Sequence, residues 1–289
     1  MGLKNWVCGV LWVSIAWSLP TDVAAKQLKA GELFTQSQIA YGRYVVRMRA
    51  AKGSGVISNF FTYKNDSHEP SVIWEEIDVE VFGRDNGRRW QSNIITGYDP
   101  RQMSVREHGG ADFADSYHTL AFEWTPTYVR WLVDGREIRR DTGGQQVDTL
   151  TSPASFRFNI WQPNIPSWVG PFDASILPVH MFVNWVEFHR WTGSGFERVW
   201  RDDFNSLSGR WVKATHTFNE NNADFVPQNV NVKNGYLILS LTRADATGFR
   251  GDPPVDGAGP DDPPDTPEPE VPEPQGPLNG ALNLLLEEE

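Results

Sequence analysis

The chain has 289 residues, 39% of them hydrophobic, with 25 Gly and 20 Pro, enough for one large domain or two small ones. Its formal net charge of −11 does not mark a cationic partner, because residues 251–289 hold eleven acids and no Lys or Arg, which leaves residues 1–250 balanced at 26 acids against 26 bases. A neutral folded part without a basic stripe excludes nucleic acid as a partner.

Residues 1–25 have the layout of a secretory signal. Lys4 gives a positive start, residues 6–19 are an apolar run too short to span a bilayer comfortably, and Val23-Ala24-Ala25 places a cut near Ala25. The alternative is an uncleaved anchor. The expectation is a secreted, extracellular protein with no membrane contact after cleavage. The single cysteine, Cys8, lies in this leader, so the remainder has neither disulfide nor thiol chemistry. From about residue 26 to 250 the chain alternates in a β manner. Strands are predicted at 41–49, 56–63, 74–82, 90–96, 118–124, 129–133, 156–161, 182–191 and 236–241. Asp134-Gly135 between 129–133 and 136–139 is a hairpin signal. No long stretch has a 3.6-residue apolar period, and many short strands separated by Gly, Pro and Asn turns predict an all-β antiparallel sandwich or barrel. Residues 251–277 hold ten prolines interspersed with acids, so 251–289 is expected to be an extended tail with nothing to add to the core. Residues 278–289 are read as disordered, with a short helix or docking role as the alternative.

The informative stretch is IWEEIDVEVFG, residues 73–83. Side chains alternate along a strand, so Trp74, Glu76, Asp78 and Glu80 share one face while Ile77, Val79 and Val81 share the core face. Glu75 falls on the apolar side and is expected to reach solvent at the strand's start. A solvated face would mix Lys, Thr and Ser with the acids, since adjacent like charges are unfavourable. A divalent-metal site needs oxygens converging on a point, which a straight strand does not offer. The functional reading is a glycosidase pair, one carboxylate attacking and another protonating the leaving oxygen. Cα atoms four apart on a strand are ~13 Å apart. Twist and long Glu side chains can bring the carboxyls toward the ~5–5.5 Å of a retaining enzyme. Asp78 between them could tune both.

WEEIDVEVFG resembles the E-I-D-x-E signature of family 16 glycoside hydrolases, β-jelly-roll (concanavalin-like) enzymes that retain anomeric configuration. The spacing without an extra residue between Asp78 and Glu80 is similar to the regular-strand branch, which includes lichenases. QSNIITG (91–97), FEWTPTYVRWLVDG (122–135), FRFNIW (156–161) and WVGPFD (168–173) also resemble 1,3-1,4-β-D-glucanases. The likeness covers roughly residues 31–250. One segment is out of order. Residues 200–242 resemble the part that begins an ordinary lichenase, yet they follow NWVEFHRW (184–191), which resembles the part that usually ends one. The chain thus resembles a circularly permuted lichenase, with TGSGFER (192–198) as the joining loop. Permutation is physically easy where original termini lie close together on the surface.

The resemblance implies Glu76 as nucleophile, Glu80 as general acid/base and Asp78 as their support. It implies a polysaccharide cleft of Glu32, Phe61, Tyr63, Asn65, Trp74, Gln91, Asn93, Arg157, Asn159, Trp161 and Trp168, residue types suited to sugar ring faces and hydroxyls. Trp131 and Trp185 read as core. His216 stands where the permuted type has a subsite tryptophan. No cofactor is implied for catalysis. A structural Ca2+ is implied at Asn184, Asp203 and Gly235, the first and last through main-chain carbonyls, with Asp203 in place of an asparagine. The expected protein is a monomeric, secreted, endo-acting retaining hydrolase of mixed-linkage 1,3-1,4-β-D-glucan. The alternatives are another family 16 specificity, xyloglucan or 1,3-β-glucan, and a non-catalytic glycan-binding sandwich.

Overall fold

The computed structural model describes residues 25–257. The expected leader and most of the expected tail lie outside the described residues. Within them eighteen strands follow one another: β1 (Leu28–Ala30), β2 (Glu32–Ile39), β3 (Gly42–Arg49), β4 (Ile57–Tyr63), β5 (Trp74–Phe82), β6 (Arg89–Gly97), β7 (Gln102–Met103), β8 (Arg106–Gly109) and β9 (His118–Trp124), then β10 (Tyr128–Val133), β11 (Arg136–Thr142), β12 (Ala154–Trp161), β13 (Val179–Trp191), β14 (Phe196–Asp202), β15 (Trp211–Lys213), β16 (Ala223–Phe225), β17 (Val230–Lys233) and β18 (Tyr236–Arg243). Helices are single short turns, α1 (Gly144–Thr149) and α2 (Pro166–Val169).

Ten strands form one sheet in the order β11-β10-β9-β3-β13-β18-β1-β16, with β14 beside β13 and β17 beside β18. Eight form the other, β15-β2-β12-β4-β5-β6-β7, with β8 beside β6. Only β1 with β16 runs parallel. The core lies between the sheets, where alternate residues of each strand interdigitate. Tyr44 of β3 stacks on Phe156 of β12 with ring centroids 4.4 Å apart, and Phe60 of β4 faces Phe122 of β9 at 5.9 Å. Ile77, Val79 and Val81 of β5 are buried in this layer, as their alternation requires. The result is the all-β antiparallel sandwich expected from the pattern, in the jelly-roll form that the resemblance implied.

The expected strands form to within a few residues. Three expectations change. The stretch 192–198 is not all loop: the turn closes with Thr192 N–H donating to the Gly195 carbonyl at 2.9 Å, and Phe196, Glu197 and Arg198 already pair with β13. Trp131 is core, but Trp185 lies on the outer face of the first sheet, half-buried beside Val45, Ala121 and Leu132 with Arg201 above its ring at 4.4 Å. Third, the chain beyond Arg250 docks. Tyr117 donates to the Pro254 carbonyl at 2.9 Å, the Asp256 N–H donates to the Tyr236 hydroxyl at 2.8 Å, and Arg47 grips both Asp256 carboxylate oxygens at 2.8 Å. Residues 252–257 therefore form a strap across the outer face of the first sheet. Composition hid it, because one Asp in an acidic Pro-rich run does not announce a buried arginine more than 200 residues away. Residues 196–243 are not an appended module, since β18 sits between β13 and β1 and β15 pairs with β2.

Candidate active site

Register lays the site out as rows across the outer face of the second sheet. Directly opposed residues of neighbouring strands share a face. One row runs Glu32 (β2), Asn159 (β12), Asn59 (β4), Glu80 (β5), Gln91 (β6). The next runs Phe34, Arg157, Phe61, Asp78, Asn93. A third has Ser155, Tyr63, Glu76 and Ile95. Trp74 begins β5 on the same face. Trp161 ends β12, and Trp168 on α2 meets it edge-on at 5.9 Å. Asn65, just past β4, accepts from Arg157 at 3.0 Å and from Ser155 at 3.1 Å. All the expected cleft residues thus come together. Asn59 and Phe34 join them unforeseen, though Asn59 is in phase with Phe61 and Tyr63 and alternation alone would have found it.

The strand carrying the acids is held from behind. The Trp131 indole N–H reaches through the core to the Asp78 main-chain carbonyl at 2.9 Å, and Arg139 lies over the same ring at 4.5 Å. Glu75 does not reach solvent as expected. It is 2% exposed and accepts from the main-chain N–H groups of Thr151 and Ser152 at 2.7 and 2.8 Å and from the Ser152 hydroxyl. A carboxylate on the apolar side is tolerable because these donors replace water.

On the cleft side the three acids differ in their surroundings. Burial raises the pKa of Glu76, but a hydrogen bond from Asp78, the Trp74 indole N–H at 2.6 Å and the charges of Arg157 and Arg101 oppose the rise. Burial, followed by the charges of Glu76 and Glu80 and its own hydrogen bond to Glu76, pushes Asp78 well above the ordinary carboxylate range. Burial and then the Glu76 charge push Glu80 up to about 8. At neutral pH the arrangement therefore favours a charged Glu76 that accepts hydrogen bonds and a Glu80 that keeps its proton.

The walls and floor suit hydroxyl-rich ligands. Arg157 is fixed by Glu32 at 2.9 Å and lies over the rings of Phe34 and Tyr63 at 4.6 and 4.8 Å. Glu32 also accepts from Asn159 at 3.2 Å, so it orients two cleft side chains while itself buried. Trp168 donates to Gln91 at 2.8 Å. The buried side-chain atoms without a protein partner include the carbonyl oxygens of Asn59, Asn93 and Asn159 and the Trp161 indole N–H, all at the cleft. Buried polar atoms normally have partners. These are acceptors and a donor of the kind sugar hydroxyls satisfy. His216 lies at the Glu32 end, 3.8 Å from that carboxylate and packed on Phe225 at 5.2 Å.

Among the described residues no group of His, Cys, Asp and Glu side chains is arranged to hold a metal ion. The expected calcium residues offer main-chain oxygens instead. Asn184 falls where β13 changes partner, between Val183 opposite Leu237 and Val186 opposite Asp202. Gly235 has a φ of +79°, and a Cβ there would lie 3.7 Å from the Asp203 carbonyl oxygen and 3.8 Å from the Asn205 side-chain oxygen. The Asp203 side chain is engaged elsewhere, accepting from Arg201 at 2.8 Å. The Asp203 carbonyl and the Asn205 side chain thus put two hard oxygens, of the kind Ca2+ takes, beside Gly235.

The sequence profile described as Glycosyl hydrolases family 16 matches residues 17–185, more than half of the chain. The chain is 41% identical over 251 residues to a beta-glucanase of Fibrobacter succinogenes, covering 83% of this chain and 71% of that one. It is 31% identical over 169 residues to a beta-glucanase of Bacillus subtilis, covering 58% of this chain and 66% of the other. Among solved structures, a Bacillus licheniformis beta-glucanase matches with a TM-score of 0.47 and 32% identity, over 54% of this chain and 70% of that one. On the profile match and the Fibrobacter similarity, the chain belongs to family 16 of the glycosyl hydrolases.

Proposed function

We propose that the chain is a secreted, monomeric, endo-acting β-glucanase that cleaves mixed-linkage 1,3-1,4-β-D-glucan with retention. One observation carries the reading: two glutamates on one strand face, one supplied with hydrogen-bond donors and one held protonated by burial and its neighbour's charge. In the first step a Glu76 oxygen attacks the anomeric carbon while Glu80 gives its proton to the departing glycosidic oxygen. The C–O bond breaks and a glycosyl-enzyme forms. In the second step Glu80 takes a proton from water, which attacks the same carbon and frees Glu76 with a second inversion. Asp78 holds a proton toward Glu76 and steadies its charge. Asn59, Asn93, Asn159 and Trp161 take up sugar hydroxyls along the floor. The relatives' names support a β-glucanase, and the mixed-linkage choice rests on the motifs flanking the acids.

A circular permutation is supported by two facts. The similarity to the Fibrobacter protein runs over 251 residues but that to the Bacillus subtilis protein over only 169. The strands after Trp191 also complete both sheets. For calcium, the ligands would be the main-chain carbonyls of Asn184 and Gly235 together with Asp203, and an ion there would tie β13, β14 and β18 together. Secretion rests on the composition of residues 1–25.

The test is reducing-sugar release from barley β-glucan, laminarin and a soluble cellulose derivative by wild type and Glu76→Gln. Cleavage of barley glucan alone, abolished in the variant, is expected. Comparable rates on laminarin would transfer the chain to a 1,3-glucanase reading. Turnover by Glu76→Gln above about a hundredth of wild type, a loss of only ~2.7 kcal/mol in barrier terms, would remove Glu76 as nucleophile.

A further inference from the structure

Beside Trp74 the cleft rim carries a residue that neither alternation nor resemblance points to. Arg101 lies exposed on the turn between β6 and β7. Its guanidinium carbon sits 3.7 Å from the centroid of the Trp74 ring. The other neighbour of that ring is Tyr63, edge-on at 5.3 Å. The indole N–H held between them donates to Glu76 Oε2 at 2.6 Å. One face of Trp74 is therefore covered by protein, and the contact it makes with the chemistry runs through its N–H.

We propose that Arg101 is a positioning residue for the nucleophile: stacked on Trp74, it locks the indole N–H onto Glu76 and sets a fixed positive charge on the rim that favours the charged carboxylate. The inference rests on the assignment of Glu76 as nucleophile. A cation over an indole face is attracted by the ring's electron density, and this pairing draws that density away from the N–H and strengthens it as a donor.

The groups facing Glu76 show why Arg101 matters. Its own strand contributes Trp74, Asp78 and Glu80. Strand β4 contributes Tyr63 directly opposite, with His68 3.5 Å beyond the Tyr63 hydroxyl. Strand β6 contributes the apolar Ile95, and β12 contributes Arg157 behind Tyr63. The two fixed cations in this set are Arg157 and Arg101. Arg157 shares its charge with Glu32 at 2.9 Å. Among the described residues no carboxylate forms an ion pair with Arg101. The Arg101 charge is therefore not offset by a paired carboxylate, and Arg157, followed by Arg101, acts to lower the pKa of Glu76.

The experiment is the pH dependence of kcat/KM on barley β-glucan for wild type, Arg101→Ala, Arg101→Met and Arg101→Lys, with melting temperatures measured alongside. Glu76 must be charged to attack. Removing a cation makes it harder to ionise, so the acidic limb should move to higher pH. The shift expected in the Ala and Met variants is about half a unit or more, with Lys restoring most of it. Met keeps an apolar stem on Trp74, so a shift there isolates charge from packing. Added salt should move the wild-type limb upward and leave the Ala variant's in place. An acidic limb that stays put in both Ala and Met overturns the proposal. So does a rise in KM alone, which would make Arg101 a sugar contact. Glu76→Gln separates the two layers: if it is inactive while the Arg101 variants show no shift, the inference fails and the nucleophile stands. If it turns over, the nucleophile assignment itself fails.

Discussion

Glu76 and Glu80 are identical side chains on the same face of the same strand, and they differ in what donates to them. Trp74 and Asp78 donate to Glu76, whereas Glu80 has no such donors among the causes of its shift and is pushed up to about 8. The sign of the pH dependence follows. An acid catalyst works while it holds its proton, so kcat/KM on glucan should fall as pH rises through about 8. Glu80→Gln should lose that limb and at least about a hundredfold in rate on glucan. It should largely spare the first step with an activated aryl glucoside, whose leaving group needs little protonation. Equal losses on both substrates would take the acid role from Glu80. Asp78 is hydrogen-bonded to Glu76, and burial, followed by the charges of the two flanking glutamates, raises its pKa well above the ordinary carboxylate range, which favours the neutral donor. Asp78→Asn retains a neutral donor and should keep about tenfold or more of the activity that Asp78→Ala loses. Steady-state rates of the two variants side by side check this, and equal rates would make the carboxyl group itself indispensable.

Strand β5 is placed by two attachments, and only one was legible in the sequence. Alternation gave the core row Ile77, Val79 and Val81 and the acid row opposite it, because a two-residue period survives in any window long enough to show it. The same logic found the long central strands. Strands β7, β15 and β16 span two or three residues and carry no period, so their neighbours in space define them rather than their own pattern. The burial of Glu75 was illegible for a related reason: its donors are 76 and 77 residues away, on the loop that leads into β12. That link couples the strand bearing Glu76 and Glu80 to the strand bearing Arg157 and Asn159. Glu75→Ala would leave two main-chain N–H groups without their acceptor, at about 2–3 kcal/mol. A urea melt should show the loss. The rate on glucan should fall with it, even under conditions where the variant is fully folded. A stability loss with unchanged kcat would make the attachment purely structural.

At the scale of the whole molecule the chain closes on itself at the back. The strap's Asp256 meets Arg47 where the two side chains are 10% and 5% exposed. Removing one member of a buried pair costs about 3 kcal/mol. A chain ending at Arg250 should therefore melt at lower temperature than one ending at Gly257, with little change in rate on glucan at low temperature, since the cleft is on the other sheet. Equal melting temperatures would show that the strap only rests on the surface. A chain ending at Trp191 lacks β18 from between β13 and β1 and should be insoluble or inactive. These opposite faces also decide how the molecule can be tethered. Gly257, the last described residue, lies by the wall facing away from the acids. At the other end, the Lys26 ammonium bonds to the Phe218 carbonyl at 2.8 Å, and the Phe218 ring packs on Trp161 at 5.0 Å, so Lys26 lies beside one mouth of the cleft. An attachment made through the C-terminal side presents the open cleft outward to a long polymer, whereas a bulky fusion before residue 26 crowds the end where Trp161 and Trp168 stand.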